Sequence, residues 1–309
     1  MREEFYRRAA NGEGQIYSYR WKAAEPKAVV QFIHDKGDHA VWYEDFAESL
    51  ADAGCDVYAN DIIGHGMSRQ GHQGCFGMKP DVFGCLVEDT RSLYLKASHK
   101  SGTGLPLILI GIGLGVNIAL EYMTKYSADA MILIGVNSDP KLTVPVLAAA
   151  RQHIRAHGYN SVSQAVHTMM LQLNRRPGAA LEKSEYYWLS TDEEELRRYV
   201  EDPDCGFPLA ASAYKEILEE SVRFKRKKEY EHIENLPILI LSGEEDQLGD
   251  CGAAPEKLTQ RLRESGHNET ELKLYRGCYH DILHDVCREQ VISDIKEWLE
   301  HNRAAEQME

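Results

Sequence analysis

Short runs of apolar, β-rich residues alternate along the chain with longer stretches in which apolar side chains return every three or four positions. KAVVQFI (27–33), DVYAND (56–61), PLILIG (106–111), AMILIGV (130–136), PILILSG (237–243) and ELKLY (271–275) are the strand candidates. Their near-continuous hydrophobicity predicts strands covered on both faces, as in a parallel sheet held between layers of helix. YEDFAESLADAG, LVEDTRSLYLKAS, VNIALEYMTKYS and PEKLTQRLRESG carry the helical spacing, and the first and last of these close on a glycine. The order predicts an α/β doubly wound domain. At the start, EFYRRAANGEGQIYSYRW reads as an antiparallel hairpin that turns at Asn11-Gly12 or Gly14 and leads into the sheet.

One gap breaks the rhythm. Between Val136 and Pro237 about a hundred residues carry no strong strand signal and are rich in helical patterns such as VPVLAAARQHIRA, SVSQAVHTMMLQLNR and DEEELRRYVED. That is too long for a connection inside a compact domain, so it reads as a helical cap inserted over the carboxyl ends of the strands. The expected division is core 1–137, cap 138–232 and core 233–309. No internal repeat or low-complexity segment is present.

Composition narrows the function classes. A chain of 309 residues with 43% hydrophobic content can bury a large core. Acidic residues outnumber basic ones by 49 to 35, and the net charge of −14 repels phosphate backbones and anionic membrane surfaces, so nucleic acid is not an expected partner. The densest basic run, Arg223 to Lys228, is followed at once by EYEHIE and reads as a solvated helix face. No segment reaches the ~18 to 20 apolar residues of a membrane span, and the first residues, MREEFYRRAANGEG, are charged. A cytoplasmic protein without stable membrane insertion is expected; oligomeric state is not legible. Seven cysteines without a C-x-x-C pair fit reduced, mostly buried thiols rather than disulfides or a zinc site. With no His/Asp cluster at ligand spacing and no complete phosphate loop, neither metal nor organic cofactor is expected.

The chemistry centres on LILIGIGLGVNIAL (107–120), a strand that runs through Gly111, Gly113 and Gly115 directly into a helix. Glycines flanking one residue between a strand and a helix are the setting of the G-x-S-x-G nucleophile elbow, where the strained, close-packed turn excludes bulk. The rival dinucleotide fingerprint needs its third glycine at position 116, which is Val116, and belongs at the first strand-to-helix turn rather than the third strand. Asp246, after the strand PILILSG, and His280, after ELKLY, follow the elbow in the order nucleophile, acid, histidine.

These motifs resemble the monoglyceride lipase and lysophospholipase branch of the α/β-hydrolase fold, the serine aminopeptidase S33-like proteins, over nearly the whole chain. HDKGDHAVWYEDFAESLADAGCDVYANDIIGHGMS (34–68) is similar to that family's H-G-x-x-E-H…D-x-R-G-H-G-x-S segment, and YYWLSTDEEELRRYVEDPDCGFPLAASAY (186–214) to its W-L-S-R-D…D-P-L-C-G-F signature. The Asp246 and His280 regions match as well.

The resemblance implies an α/β-hydrolase core with an inserted cap, a lipid-like ester or acyl ligand, Asp246 as orienting carboxylate, His280 as general base, and oxyanion donors in the backbone N–H groups of Lys36 and Leu114. It puts His34 and Asp35 among the substrate-binding residues that line the site and the nucleophile at Gly113, which has no side chain to attack with. A second departure is His34-Asp35 where the family has His-Gly; a carboxylate there is unfavourable beside a developing oxyanion unless it points away. Cys278, Ser138 and Ser242 lack the turn a replacement nucleophile needs. Three readings follow: an impaired hydrolase that binds an acyl or apolar ligand under its cap; a working carboxylic-ester hydrolase, through water activated by His280 and Asp246 or with serine as the native residue at 113; and a non-catalytic interaction scaffold.

Overall fold

The computed structural model describes residues 2–69, 73–77, 81–101, 104–138, 143–173 and 185–306. The expected hairpin forms from β1 (Arg2–Arg8) and β2 (Gln15–Trp21), paired antiparallel from Arg2↔Trp21 to Arg8↔Gln15. Both turn signals are used, since Gly12 and Gly14 take φ of 77° and 85°. All six core strands follow: β3 (Ala28–Ile33), β4 (Cys55–Asn60), β5 (Leu107–Ile112), β6 (Ala130–Ile134), β7 (Ile238–Gly243) and β8 (Thr270–Tyr275). They make one sheet in the order β1-β2-β4-β3-β5-β6-β7-β8, with β3 to β8 parallel and β1 and β2 antiparallel at one edge.

The run of apolar residues in each strand is explained by two cores, one on each face. Ile108, Ile110 and Ile112 of β5 point into the same cluster as Ile132 and Ile134 of β6 and Leu239 and Leu241 of β7. Their alternates Leu109, Met131, Leu133, Ile238 and Ile240 enter the other. Side chains alternate across a strand, so only a sheet covered on both sides needs both sets apolar. Helices α1 (Glu44–Asp52) and α9 (Arg288–Glu306) cover the first face through Phe46, Leu50, Val291, Ile295 and Leu299. Helices α2 (Val82–Ser101), α3 (Leu114–Met123) and α8 (Ala253–Glu264) cover the second through Leu86, Val87, Ile118, Leu258 and Leu262.

Between β6 and β7 lie α4 (Thr143–His157), α5 (Gln164–Leu173), α6 (Glu193–Glu201) and α7 (Ala211–Arg223). The basic run 223–228 is not one solvated helix face. Arg223 ends α7 and reaches Glu121 of α3, Glu220 at 3.0 Å and Glu229 at 2.9 Å, while Phe224 is buried and the chain turns into a 3-10 segment. The uniform-thiol expectation is also corrected: Cys278 and Cys287, nine residues apart on the loop that carries His280, are bonded across a Cα–Cα distance of 6.6 Å. A link that local leaves no C-x-x-C signature. Cys55, Cys75, Cys85, Cys205 and Cys251 take no part in a disulfide.

Candidate active site

The elbow forms where the glycines place it. Gly113 joins β5 to α3 at φ 54°, ψ −107°, with its N–H on the Ile134 carbonyl at 2.9 Å. A β-carbon on Gly111 would lie 2.5 Å from the Gly115 carbonyl oxygen and 2.8 Å from Val116 Cα, and one on Gly115 would collide with the Ile33 carbonyl. The turn is as crowded as the motif requires.

Asp246 sits in the turn after β7, fully buried, with Oδ1 accepting from the Leu248 N–H at 2.9 Å and Oδ2 2.8 Å from His280 Nδ1. An ionised carboxylate can only accept, so Nδ1 donates and Nε2 faces away from Asp246. Nε2 meets Oδ2 of Asp35 at 3.5 Å. The other oxygen of Asp35 accepts the Leu114 N–H at 2.5 Å, and Lys36 Nζ lies 3.3 Å from Oδ2.

Asp35 therefore points into the site rather than away from it. Its carboxylate fills the space a nucleophilic side chain would use, because a β-carbon on Gly113 would lie within 2.5 Å of Cγ, Oδ1 and Oδ2 of Asp35. The backbone does not need glycine at 35, since the left-handed conformation of this loop is taken by Gly37, at φ 72°. The charge is tolerated because partners from three elements neutralise it. Burial would raise the Asp35 pKa, but Lys36, His280 and the Leu114 amide hold it well below the usual carboxylate range. Burial would lower that of His280, but Asp246 first and then Asp35 push it up to about 9. The resting centre is a buried row of carboxylate, imidazolium and carboxylate.

Of the other expected site residues, Leu114 presents its amide, already bonded to Asp35. His34 has both ring nitrogens engaged, Nε2 by the Ile62 N–H at 2.8 Å and Nδ1 by Asp38 and the Asp35 carbonyl, each at 2.7 Å. It holds the loop in place. Lys36 brings its ammonium to Asp35.

Three residues escaped the reading of the sequence. Trp188 is buried with its ring 5.6 Å from that of His280 and beneath Lys36 Nζ, and its Nε1 has no hydrogen-bond partner among the described residues. Asp285, fully buried, accepts from the Tyr279 N–H at 2.7 Å and the Thr191 N–H at 3.1 Å, tying the histidine loop to the segment before α6. Asp281 takes the Trp42 indole N–H at 3.1 Å and the His284 ring at 2.8 Å. Both aspartates lie in HDILHD, directly after His280, and that acidic spacing was the available signal.

The sequence profile described as serine aminopeptidase, S33 matches residues 24–286. The chain belongs to that family. Among family relatives, it is 27% identical to the mouse monoglyceride lipase over 96% of this chain and 90% of that protein. It is 26% identical to the monoglyceride lipase homolog of monkeypox virus, over 92% and 94% of the two. In solved structures it resembles the thermostable carboxyl esterase from Bacillus coagulans in complex with glycerol, with a TM-score of 0.90 at 20% identity over 98% of this chain and 99% of that one. A soluble variant of the Saccharomyces cerevisiae monoglyceride lipase gives 0.74 at 17% identity over 93% and 92%. The fold is the α/β-hydrolase fold expected for the family.

Proposed function

We propose that this chain is a monoglyceride-lipase-like member of its family that has lost the serine route to ester cleavage and binds an acyl or other apolar ligand beneath its cap, residues 138–232. One observation carries the reading: the Asp35 carboxylate lies where the serine side chain would sit and is bonded to the Leu114 amide that would hold an oxyanion. A carboxylate at that amide opposes the charge that develops in ester cleavage, and Gly113 supplies no oxygen to start it. Asp246, His280 and Leu114 keep their expected roles as orienter, base and oxyanion donor only in outline, with Lys36 and Asp35 turned to each other.

Ligand binding is supported by the relatives, whose names specify monoglycerides; a cavity of about 270 Å³ behind the elbow, lined by Val116, Leu120 and Phe224 but also by Asn117, Lys257 and Arg261, touches neither Asp35 nor His280. Water activation by His280 is disfavoured at neutral pH, because its Nε2 carries a proton and faces Asp35. The reading includes a cytoplasmic location; no described helix is long and apolar enough to cross a membrane.

The test uses the unmodified protein. Nitrophenyl butyrate and a monoacylglycerol are expected to show no turnover above buffer, while a dansyl-labelled fatty acid binds saturably and is displaced by the monoacylglycerol. Ester turnover with burst kinetics, or no saturable binding, would sink the reading.

A further inference from the structure

We infer that Asp35 is itself a nucleophile and that the site opens epoxides carried on apolar molecules to vicinal diols. This rests on the reading above that the serine route is gone, and it names the electrophile the site takes instead. A nucleophilic carboxylate in a hydrolase needs one oxygen held by an oxyanion donor, the other free to attack, and a histidine within reach to activate water afterwards. Asp35 has the first and last of these, with Oδ1 held by the Leu114 N–H at 2.5 Å and His280 Nε2 3.5 Å from Oδ2; Oδ2 is released for attack when the Lys36 ammonium, 3.3 Å away, turns from it to the substrate oxygen. Gly113 is then the complement of Asp35 rather than a bare loss, since any β-carbon at 113 would occupy the carboxylate's space.

The choice of electrophile follows from leaving groups. Attack by a carboxylate on an ester carbonyl would form an anhydride and expel an alkoxide, a far poorer leaving group than the carboxylate, so the adduct reverts. Attack on a saturated ring carbon forms an ordinary ester and releases ring strain. An epoxide oxygen needs a proton as its bond breaks, and two acids lie within 3.5 Å of Oδ2, the His280 imidazolium and the Lys36 ammonium. The buried indole N–H of Trp188, beside His280 and without a partner among the described residues, is a further donor for that oxygen.

In the first step Oδ2 forms a bond to a ring carbon, the carbon–oxygen ring bond breaks, and the departing electron pair takes the proton from His280 Nε2. This leaves an Asp35 ester with a neighbouring hydroxyl, and a neutral imidazole. In the second step His280, oriented by Asp246, removes a proton from water, and the hydroxide attacks Cγ of Asp35. The negative charge falls on Oδ1 at the Leu114 amide. Collapse breaks the bond between Cγ and the alkyl oxygen, which leaves with the proton of the added hydroxyl. Asp35 is again a carboxylate and His280 an imidazolium; the net change is epoxide plus water to diol.

The experiment incubates the unmodified protein with styrene oxide and with a long-chain terminal epoxyalkane in water enriched in heavy oxygen. Diol is expected, with the label in the Asp35 carboxylate after a single turnover. In His280→Asn the Lys36 ammonium remains to protonate the opening ring and no base remains to activate water, so a mass adduct should accumulate on the peptide containing Asp35; Asp35→Asn should lower diol formation at least about a hundredfold. If Asp35→Asn fails to fold, the His280→Asn adduct decides. No diol and no adduct with either epoxide, first-turnover label in the diol instead of Asp35, or undiminished turnover in folded Asp35→Asn would each overturn the inference. Monoacylglycerol turnover by the same preparation would overturn the loss of the serine route and leaves the Asp35 labelling result to be read by itself.

Discussion

Restoring the serine by itself is expected to fail. In Gly113→Ser the new β-carbon lies within 2.5 Å of all three atoms of the Asp35 carboxylate, so the carboxylate must be expelled from its place. Overpacking of this kind costs about 1–3 kcal/mol, and a side chain at φ 54°, ψ −107° adds roughly 1–3 kcal/mol of backbone strain. Parting Asp35 from the Leu114 amide and from His280 leaves buried groups unpaired, at a cost on the order of 3 kcal/mol. The sum, on the order of 7 kcal/mol, corresponds to a fall in Tm of roughly 10 °C for a chain of this length. Asp35→Gly combined with Gly113→Ser removes the first and last of these costs and frees the Leu114 N–H. Calorimetry should therefore show the double variant melting above the single one. With nitrophenyl butyrate the double variant should show an acylation burst. The single variant should turn over at least about a hundredfold more slowly, the loss associated with one missing oxyanion donor. A single variant as stable and as active as the double would refute the reasoning.

His280 is charged in the fold up to about pH 9 against 6.5 for an ordinary histidine, so its pairing contributes fully below 6.5 and is lost as pH rises through 9. Tm should decline across that window and flatten in His280→Asn; a slope unchanged in the variant would count against the row of charges. By the same titration, hydrolysis by water activated at His280 should appear only as pH climbs through about 9, which a pH–rate profile checks. Glu220 runs the other way: burial raises its pKa to about 7 from 4.5, so the fold binds the proton more tightly and loses stability as pH rises from 4.5 through 7. Glu220→Gln should flatten Tm over that range, and a steeper dependence would refute the assignment. Asp285→Ala strands the Tyr279 and Thr191 amides and should cost about 2–4 kcal/mol by denaturant melt, with Asp285→Asn between; an unchanged midpoint would show that the loop is held otherwise.

The strands were legible because burial on both faces writes itself as unbroken apolar runs, and the elbow because its crowding admits only Gly111 and Gly115. The order of Gly113, Asp246 and His280 could be read for the same reason, as each follows a recognisable strand. The direction of Asp35 could not. As an isolated residue it is an uncompensated charge beside an oxyanion site, and its compensation comes from Lys36, from His280 some 245 positions away, and from an amide of α3. Arg223 misled similarly, since a basic run looks solvated until the acidic side chains of α3 and the following turn come round to meet it. Helix α9 passed unremarked as a helix because its polar outer face dilutes the apolar stripe of Val291, Ile295 and Leu299.

The bonds that run from residues 189–206 into the core have a mechanical meaning. Leu189 and Ser190 meet the backbone of Asp281 and His284, Thr191 meets Asp285, and Glu195 meets Arg288; Tyr199 and Gly206 both hold the Gly37 carbonyl. A segment riveted at this many points moves with the sheet and cannot swing as part of a lid. Residues 189–206 are thus a fixed wall beside the histidine loop, and hydrogen exchange should be slow throughout them.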